Sequence, residues 1–264
     1  MKQIIFTLVL VAVACFASVE AQAQEITIGA SGIKFNEDVP SEEPVTVCTI
    51  VRYSDNALKV SRIAHSTIPT FELGWNIPTN VGYSAYEGLD TGEFFDLRHW
   101  KSVQATFNIA GATAFSKNLN VGIAAAVGFK WNNYRFEPDM TLVKDGGLIM
   151  PSAIADRNGK SSKKSKFTTA ALHIPVELIF GNPHKLALSV GGYVDMTINN
   201  HTKIKYYGGH KDKTWNYPVN FIQAGAVARL TFHHFSVFCS YQPTQLFKTG
   251  RGPEMQQWTI GLGF

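Results

Sequence analysis

After residue 66 the chain falls into eight stretches in which apolar residues alternate with small or polar ones. A two-residue period places the two residue sets on opposite faces of a β-strand. In Thr70 to Ile77, Phe71, Leu73, Trp75 and Ile77 oppose Glu72, Gly74 and Asn76. Trp100 to Phe115 sets Val103, Ala105, Phe107 and Ile109 against Ser102, Gln104, Thr106 and Asn108, and Leu119 to Phe136 sets Ile123, Val127, Phe129 and Trp131 against Gly122, Ala124, Gly128 and Lys130. Lys166 to Phe180 carries Leu172, Ile174, Val176 and Leu178 opposite Thr169, His173, Pro175 and Glu177. In Leu186 to Ile198, Leu188, Val190, Val194 and Met196 face away from Ser189, Gly191, Tyr193 and Asp195. Tyr217 to Phe232 opposes Ile222, Ala224, Ala226, Ala228 and Leu230 to Gln223, Gly225, Arg229 and Thr231. A short run, Phe235 to Tyr241, and the final QQWTIGLGF complete the set.

The connectors alternate as regularly as the residues. Those after the second, fourth and sixth runs are tight: Ser116 to Asn118, Gly181 to Lys185, and His233-His234. The other four are long: Pro78 to His99, Glu137 to Ser165, Asn199 to Asn216, and Gln242 to Met255. Short turns at one end and long loops at the other describe an up-and-down antiparallel barrel of outer-membrane type. A soluble barrel would bury its apolar face and show water the polar one. Here the polar face is rich in Gly, Ala, Ser and Thr, as the narrow lumen of eight strands requires. The apolar face ends in aromatics at both ends: Phe115, Phe180, Phe232, Phe235 and Phe264 near the short turns, and Trp100, Trp131, Phe167, Tyr217 and Tyr241 near the long loops. Two aromatic bands around an aliphatic belt match the two interfaces of a bilayer.

The expected fold is therefore all-β, an eight-stranded antiparallel transmembrane β-barrel with a short N-terminal periplasmic extension. Residues 1–24 read as a signal peptide, with Lys2, the apolar run Ile4 to Ala17 and the small-x-small Ala21-Gln22-Ala23. Residues 25–66 read as the periplasmic extension, with one strand-like piece at Val45 to Val51, and 67–264 as the barrel in the outer membrane. The second, third and sixth runs exceed the ~9 to 11 residues that cross a bilayer, so they are expected to project beyond it. The final strand, with Trp258, Ile260, Leu262 and Phe264 to lipid, is expected to close the barrel on Thr70 to Ile77, because a barrel leaves no free edge.

Charge changes this picture little. The net charge of +4 comes with lysines clustered at Lys160 to Lys166 and Lys203 to Lys213, a pattern of loops; a nucleic-acid partner is not expected. The Lys160 to Lys166 cluster is set to meet either solvent or lipopolysaccharide phosphates. Of the cysteines left after cleavage, Cys239 shares the lipid-facing parity and Cys48 lies in the extension, so both are expected as free thiols.

The stretches GFKWNNYRF (128–136), KKSKFTTAALHIPVELIF (163–180), HTKIKY (201–206) and LFKTGRGPEMQQWTIGLGF (246–264) resemble the PorT-like outer-membrane β-barrel domain family of Gram-negative bacteria, over roughly residues 68–264. The resemblance implies the barrel and its location and no particular chemistry; the name-giving member is associated with a secretion apparatus. The terminal aromatic, with Trp258, Ile260 and Leu262 before it, resembles the signal read by barrel-assembly machinery.

The sharpest constellation is lumenal. Glu72, Lys130, Glu177, Asp195 and Arg229 all carry the inward parity, with His173 and Gln223, and can pair across a narrow lumen as a filling network or as a gate. Asp96, His99, His201, His210 and Asp212 lie in or beside the long connectors, but no spacing sets a base against a nucleophile or fixes a metal geometry. No enzyme activity, metal or cofactor is expected. The expected role is structural or interactive, with outer-membrane lipid, the assembly machinery and other envelope proteins as partners. The alternatives are a narrow channel, a small-ligand barrel or an accessory of a secretion machine.

Overall fold

A computed structural model describes residues 25–29, 32–36, 51–52, 62–89, 91–95, 97–115, 121–136, 139–156, 159–233 and 235–264, with the backbone alone for those up to 65 and for His99. The signal peptide, Cys48, Asp96 and most of Val45 to Val51 lie outside the described residues. Fifteen strands occur among them: β1 (Glu25–Gly29), β2 (Gly32–Asn36), β3 (Val51–Arg52), β4 (Arg62–His65), β5 (Phe71–Gly82), β6 (Val103–Phe115), β7 (Val121–Arg135), β8 (Met140–Asp145), β9 (Leu148–Ala153), β10 (Ser162–Asn182), β11 (Leu186–Tyr206), β12 (Lys211–Trp215), β13 (Ile222–Phe232), β14 (Phe235–Gln242) and β15 (Glu254–Gly263).

Eight of these close a barrel. Each of β5, β6, β7, β10, β11, β13, β14 and β15 pairs antiparallel with the next, and β15 returns to β5. The closing register sets Trp258 opposite Ile77, Ile260 opposite Trp75 and Leu262 opposite Leu73. Even the last residue is tied down: Phe264 N donates to Phe71 O at 2.8 Å, and Phe71 N to Phe264 O at 3.1 Å. Leu73, Ile123, Leu178, Leu188, Val190, Leu230, Val237 and Ile260 are exposed on the outer wall, while Glu72, Thr106, Lys130, Glu177, Ser189, Arg229, Ser236 and Thr259 are buried inside. Exposed aliphatics outside and buried polar groups inside invert the soluble arrangement and fit a wall solvated by lipid. The protein is a closed eight-stranded barrel of the outer membrane.

Two bulges shift the inside-outside parity. Between Asn108 and Ala110 the register of β6 slips by one residue against β7, which turns Phe115 into the lumen. On β11 the slip falls at Ile198, between the pairs Ala171–Thr197 and Ala170–Asn199, so that Thr202 faces in and Lys203 and Lys205 face out. Phe115 therefore leaves the expected short-turn aromatic band. Phe180, Phe232, Phe235 and Phe264 are exposed there, with Phe235 and Phe264 rings 5.6 Å apart. At the other end Trp131, Trp258 and Trp100 are exposed, and Tyr241 stacks on Trp258 at 4.6 Å.

Phe167 and Tyr217 depart from the band as well, because they belong to a core that the periodicity does not display. Tyr86, Phe94, Phe95 and Leu97 from the first long connector, and Leu142 and Ile149 from the β8–β9 hairpin, gather with Leu246 and Phe247 from the last connector. They enclose Tyr134, Phe167 and Met255 from the strand ends, with Phe136 just past β7 and Tyr217 between β12 and β13. The long connectors form an apolar lid over the barrel mouth, where solvated polar loops were expected. The strands that project furthest are β10 and β11, at 21 residues each; of the runs expected to project, β6 and β7 reach 13 and 15 residues and β13 11. At the opposite end Ile68 packs into the lumen against Phe115, Ala124, Ala126, Ile179 and Ala187. β4 pairs there with Ala112 to Phe115 of β6, beyond the reach of β5.

Small residues let large ones lie flat across the narrow interior. A Cβ on Gly261 would come within 2.6 Å of Phe238 Cζ and 2.4 Å of Leu73 O, and one on Gly225 within 2.4 Å of the Tyr193 ring. Gly261→Val is expected to destabilise the barrel by ~1–3 kcal/mol through overpacking, while Leu262→Ile on the lipid face leaves stability nearly unchanged. Denaturant unfolding in detergent micelles, followed by heat-modifiable migration, measures both.

Candidate functional site: the lumenal polar network

The inward parity of five strands delivers every lumenal residue singled out above to one interior. Glu72 stands on β5, Lys130 on β7, His173 and Glu177 on β10, Asp195 on β11, and Gln223 and Arg229 on β13; all are buried. An ionised group in such a place needs a partner to replace water.

The charges resolve into two clusters. In the first, Arg229 bridges two carboxylates. Its Nη2 lies 2.6 Å from Glu72 Oε1 and 3.0 Å from Glu177 Oε1, and its Nε donates to Glu177 Oε1 and Oε2 at 3.2 Å each. The approach to Glu177 is the two-toothed one that a planar guanidinium favours. The contact with Glu72 is an ion pair whose angle falls outside hydrogen-bond geometry. Ser189 Oγ donates to Glu177 Oε2 at 2.5 Å, Arg229 Nη1 to Ser236 Oγ at 3.3 Å, and the guanidinium lies 5.3 Å from the Phe238 ring centre.

In the second cluster Asp195 is held from both sides. Lys130 Nζ donates to Oδ2 at 2.8 Å, and His173 Nδ1 lies 2.5 Å from Oδ1. The Lys130 ammonium also sits 4.0 Å from the centre of the Tyr193 ring, a cation–π contact in a buried site. Three carboxylates thus meet a guanidinium, an ammonium and one imidazole.

Towards the lid the network continues without charge. Asn76 Nδ2 donates to Asn132 Oδ1 at 3.1 Å, Gln257 Nε2 to Asn76 Oδ1 at 3.1 Å, and Tyr134 OH to Gln257 Oε1 at 2.6 Å. Gln223 joins a separate pair, accepting from Gln242 Nε2 at 3.0 Å. Inward parity marks Asn76, Asn132, Gln257 and Thr259 as lumenal, but their mutual partners depend on strand stagger, which periodicity does not specify. Between the charged clusters lies a void of about 10 Å³, lined by Glu72, Lys130, His173, Glu177, Tyr193 and Arg229 among others. That is about the room of one water.

The connector residues are placed elsewhere. His201 stacks on Trp215 at 4.5 Å, and His210 Nε2 lies 3.0 Å from Asp212 Oδ1 at the tip of the β11–β12 hairpin. Among the described residues no group of three or more His, Cys, Asp or Glu side chains is placed to hold a metal. Cys239 is a free thiol on the outer wall.

Neither a family model nor a curated protein matches the chain. Among solved structures it is similar to Ail, the attachment invasion locus protein of Yersinia pestis, at 14% identity and a TM-score of 0.31, over 73% of this chain and 94% of that one. A second structure of Ail, in complex with the heparin analogue sucrose octasulfate, gives 12% identity and a TM-score of 0.31 over 73% and 93%.

Removing one member of the Glu72–Arg229–Glu177 triad leaves a buried charge short of a partner. Glu177→Leu is expected to cost ~3–5 kcal/mol, and replacing all three by Leu, Met and Leu to recover most of that loss. Equilibrium unfolding of the single and triple variants in detergent checks the pattern. A triple variant as unstable as the single one would show that the interior needs the charges for more than mutual compensation.

Proposed function

We propose that the protein is a non-conducting outer-membrane barrel that acts through its surface, with the lidded, long-connector end outside the cell. The observation that carries this reading is the occupied lumen: an apolar lid above, Ile68 and its neighbours below, and a bonded polar network between them with a void of about 10 Å³. A gate would need an element free to move in the path, and these charged groups are held from two or more strands. The PorT-like resemblance agrees with a barrel that works by contact, whether as a structural element or as an accessory of a secretion machine. Fused planar bilayers holding the purified protein are expected to show no stepwise conductance, and discrete openings at moderate voltage would overturn the reading.

The outward row Trp258, Ile260, Leu262 and Phe264 is proposed as the segment read by the assembly machinery. Because the Phe264 backbone is already paired with Phe71, Phe264→Ala is expected to leave the unfolding midpoint of the purified barrel unchanged while lowering the amount inserted in cells several-fold. Pulse-labelled membrane fractions compare the two quantities.

A further inference from the structure

Most lysines of the two polar stretches do not lie in loops. β10 and β11 run on beyond the lipid belt, β12 adds a further strand, and Lys164, Lys166, Lys203, Lys205, Lys211 and Lys213 fall within these strands. Their register sets like charge beside like charge. Arg135 pairs with Lys166, Lys166 with Lys203 and Lys203 with Lys213, one row of four cations across four strands. Lys164, Lys205 and Lys211 form a second row above it. Residues directly opposite in a ladder share a face at ~5 Å between Cβ atoms, and like charges there are destabilising.

Among the described residues no carboxylate forms an ion pair with these lysines. Among the described residues the Lys166 ammonium is bonded to Asn133 Oδ1, and Lys213 lies 5.3 Å from the Trp215 ring. Asp212 has the opposite parity on β12 and engages His210. Burial first, then Lys164, Lys203, Arg135 and Lys213, push the Lys166 ammonium down to about 8. Five of the lysines, Lys164, Lys166, Lys203, Lys205 and Lys211, line an open cleft of about 240 Å³.

The position of the cleft selects its occupant. The bulge at Ile198 turns Lys203 and Lys205 to the outer wall, the face that carries the aliphatic belt. One same-face row separates the cations from the exposed aromatic band: Trp131 is opposite Ala170, then Asn133, Thr168, His201 and Trp215 lie side by side, then comes the lysine row. At 3.3 Å per residue that is ~13 Å along the strand, or ~10 Å of depth for a strand tilted by ~40°, which sets the cations at the outer edge of a headgroup layer ~5–8 Å deep, within reach of long lysine side chains.

We propose that this double row of cations is a docking site for an outer-leaflet lipid whose headgroup carries two or more phosphates, an inference that rests on the outer-membrane reading above. Several ammonium groups around one cleft match several phosphate charges, and the acyl chains of the same molecule continue down the exposed wall beneath. Headgroup phosphates replace the missing carboxylates and relieve the repulsion within the rows.

The test uses the full protein in phosphatidylcholine vesicles containing either bisphosphorylated lipid A or the same lipid stripped of phosphate, followed by native mass spectrometry of the released barrel. Bisphosphorylated lipid is expected to be retained and its dephosphorylated form lost. In Lys166→Gln/Lys203→Gln/Lys213→Gln retention is expected to fall on the order of a hundredfold, since each basic residue near such a surface contributes about fivefold. The same variant, freed of like-charge contacts, is expected to unfold in lipid-free micelles no earlier than the parent. Equal retention of both lipids, or an undiminished variant, overturns the proposal, as does inorganic pyrophosphate binding the lipid-free barrel as tightly as the lipid does. Heat-modifiable migration is read on every sample, so a protein that never inserts defeats the barrel reading, while an inserted barrel indifferent to phosphate defeats this one.

Discussion

In hydrocarbon no water is available to the peptide group, so every N–H and C=O of a spanning segment must bond within the protein. The eight strands meet this demand by closure, and the exchange of two backbone bonds between Phe71 and Phe264 carries it to the last residue. The other features of the interior follow from having eight strands and no more. Such a barrel is wide enough for side chains and little else, so the inward face is divided between glycines and the rings that lie over them, as with Gly261 and Phe238 or Gly225 and Tyr193. Charges can enter this space only in mutual compensation, and Arg229 between two glutamates and Asp195 between Lys130 and His173 are two instances.

The barrel wall and the parts beyond it obey different rules. Within the belt the outer wall meets lipid, and aliphatics there need no protein partner. Beyond the belt the same face meets water and headgroups, while the interior still has to be filled. The long connectors solve this second problem by folding inward, and Tyr86, Phe94, Phe95 and Phe247 build a small globular core on top of a membrane fold. Tyr217 shows the join: its ring packs against Phe167 at 5.4 Å, while its hydroxyl donates to Leu142 O at 2.6 Å.

The barrel was legible because lipid and lumen impose opposite demands on alternate residues, and the period of two runs along the strands except where a bulge resets it. Glu72, Lys130, Glu177, Asp195 and Arg229 were legible for the same reason, since a charge on the inward parity of a spanning strand has nowhere else to go. Their division into two clusters was not, because it depends on stagger between strands. The bulges hid more. One extra residue on β6 sends Phe115 inward, and one on β11 reverses the face of everything after Ile198. Phe167 shares its parity with Thr169 and could have been placed inside on that ground. The lid leaves no periodic trace, because its aromatics are gathered from irregular connectors by contacts between segments distant in sequence.

The bulge at Ile198 also separates two uses of charge in one protein. Before it, on the lumenal face, every charged group has an opposite partner, because the medium offers no other compensation. After it, Lys203 and Lys205 join rows in which each neighbour has the same sign, an arrangement that folding alone does not favour. The backbone ladder of β10 with β11, in step from Ala170 opposite Asn199 to Lys164 opposite Lys205 and held by the closed barrel below, supports that local cost. A strand continued past the membrane is therefore more than an overlong stave: it carries the precision of the barrel into the headgroup layer, where fixed spacing between cations matters and a flexible loop would supply none.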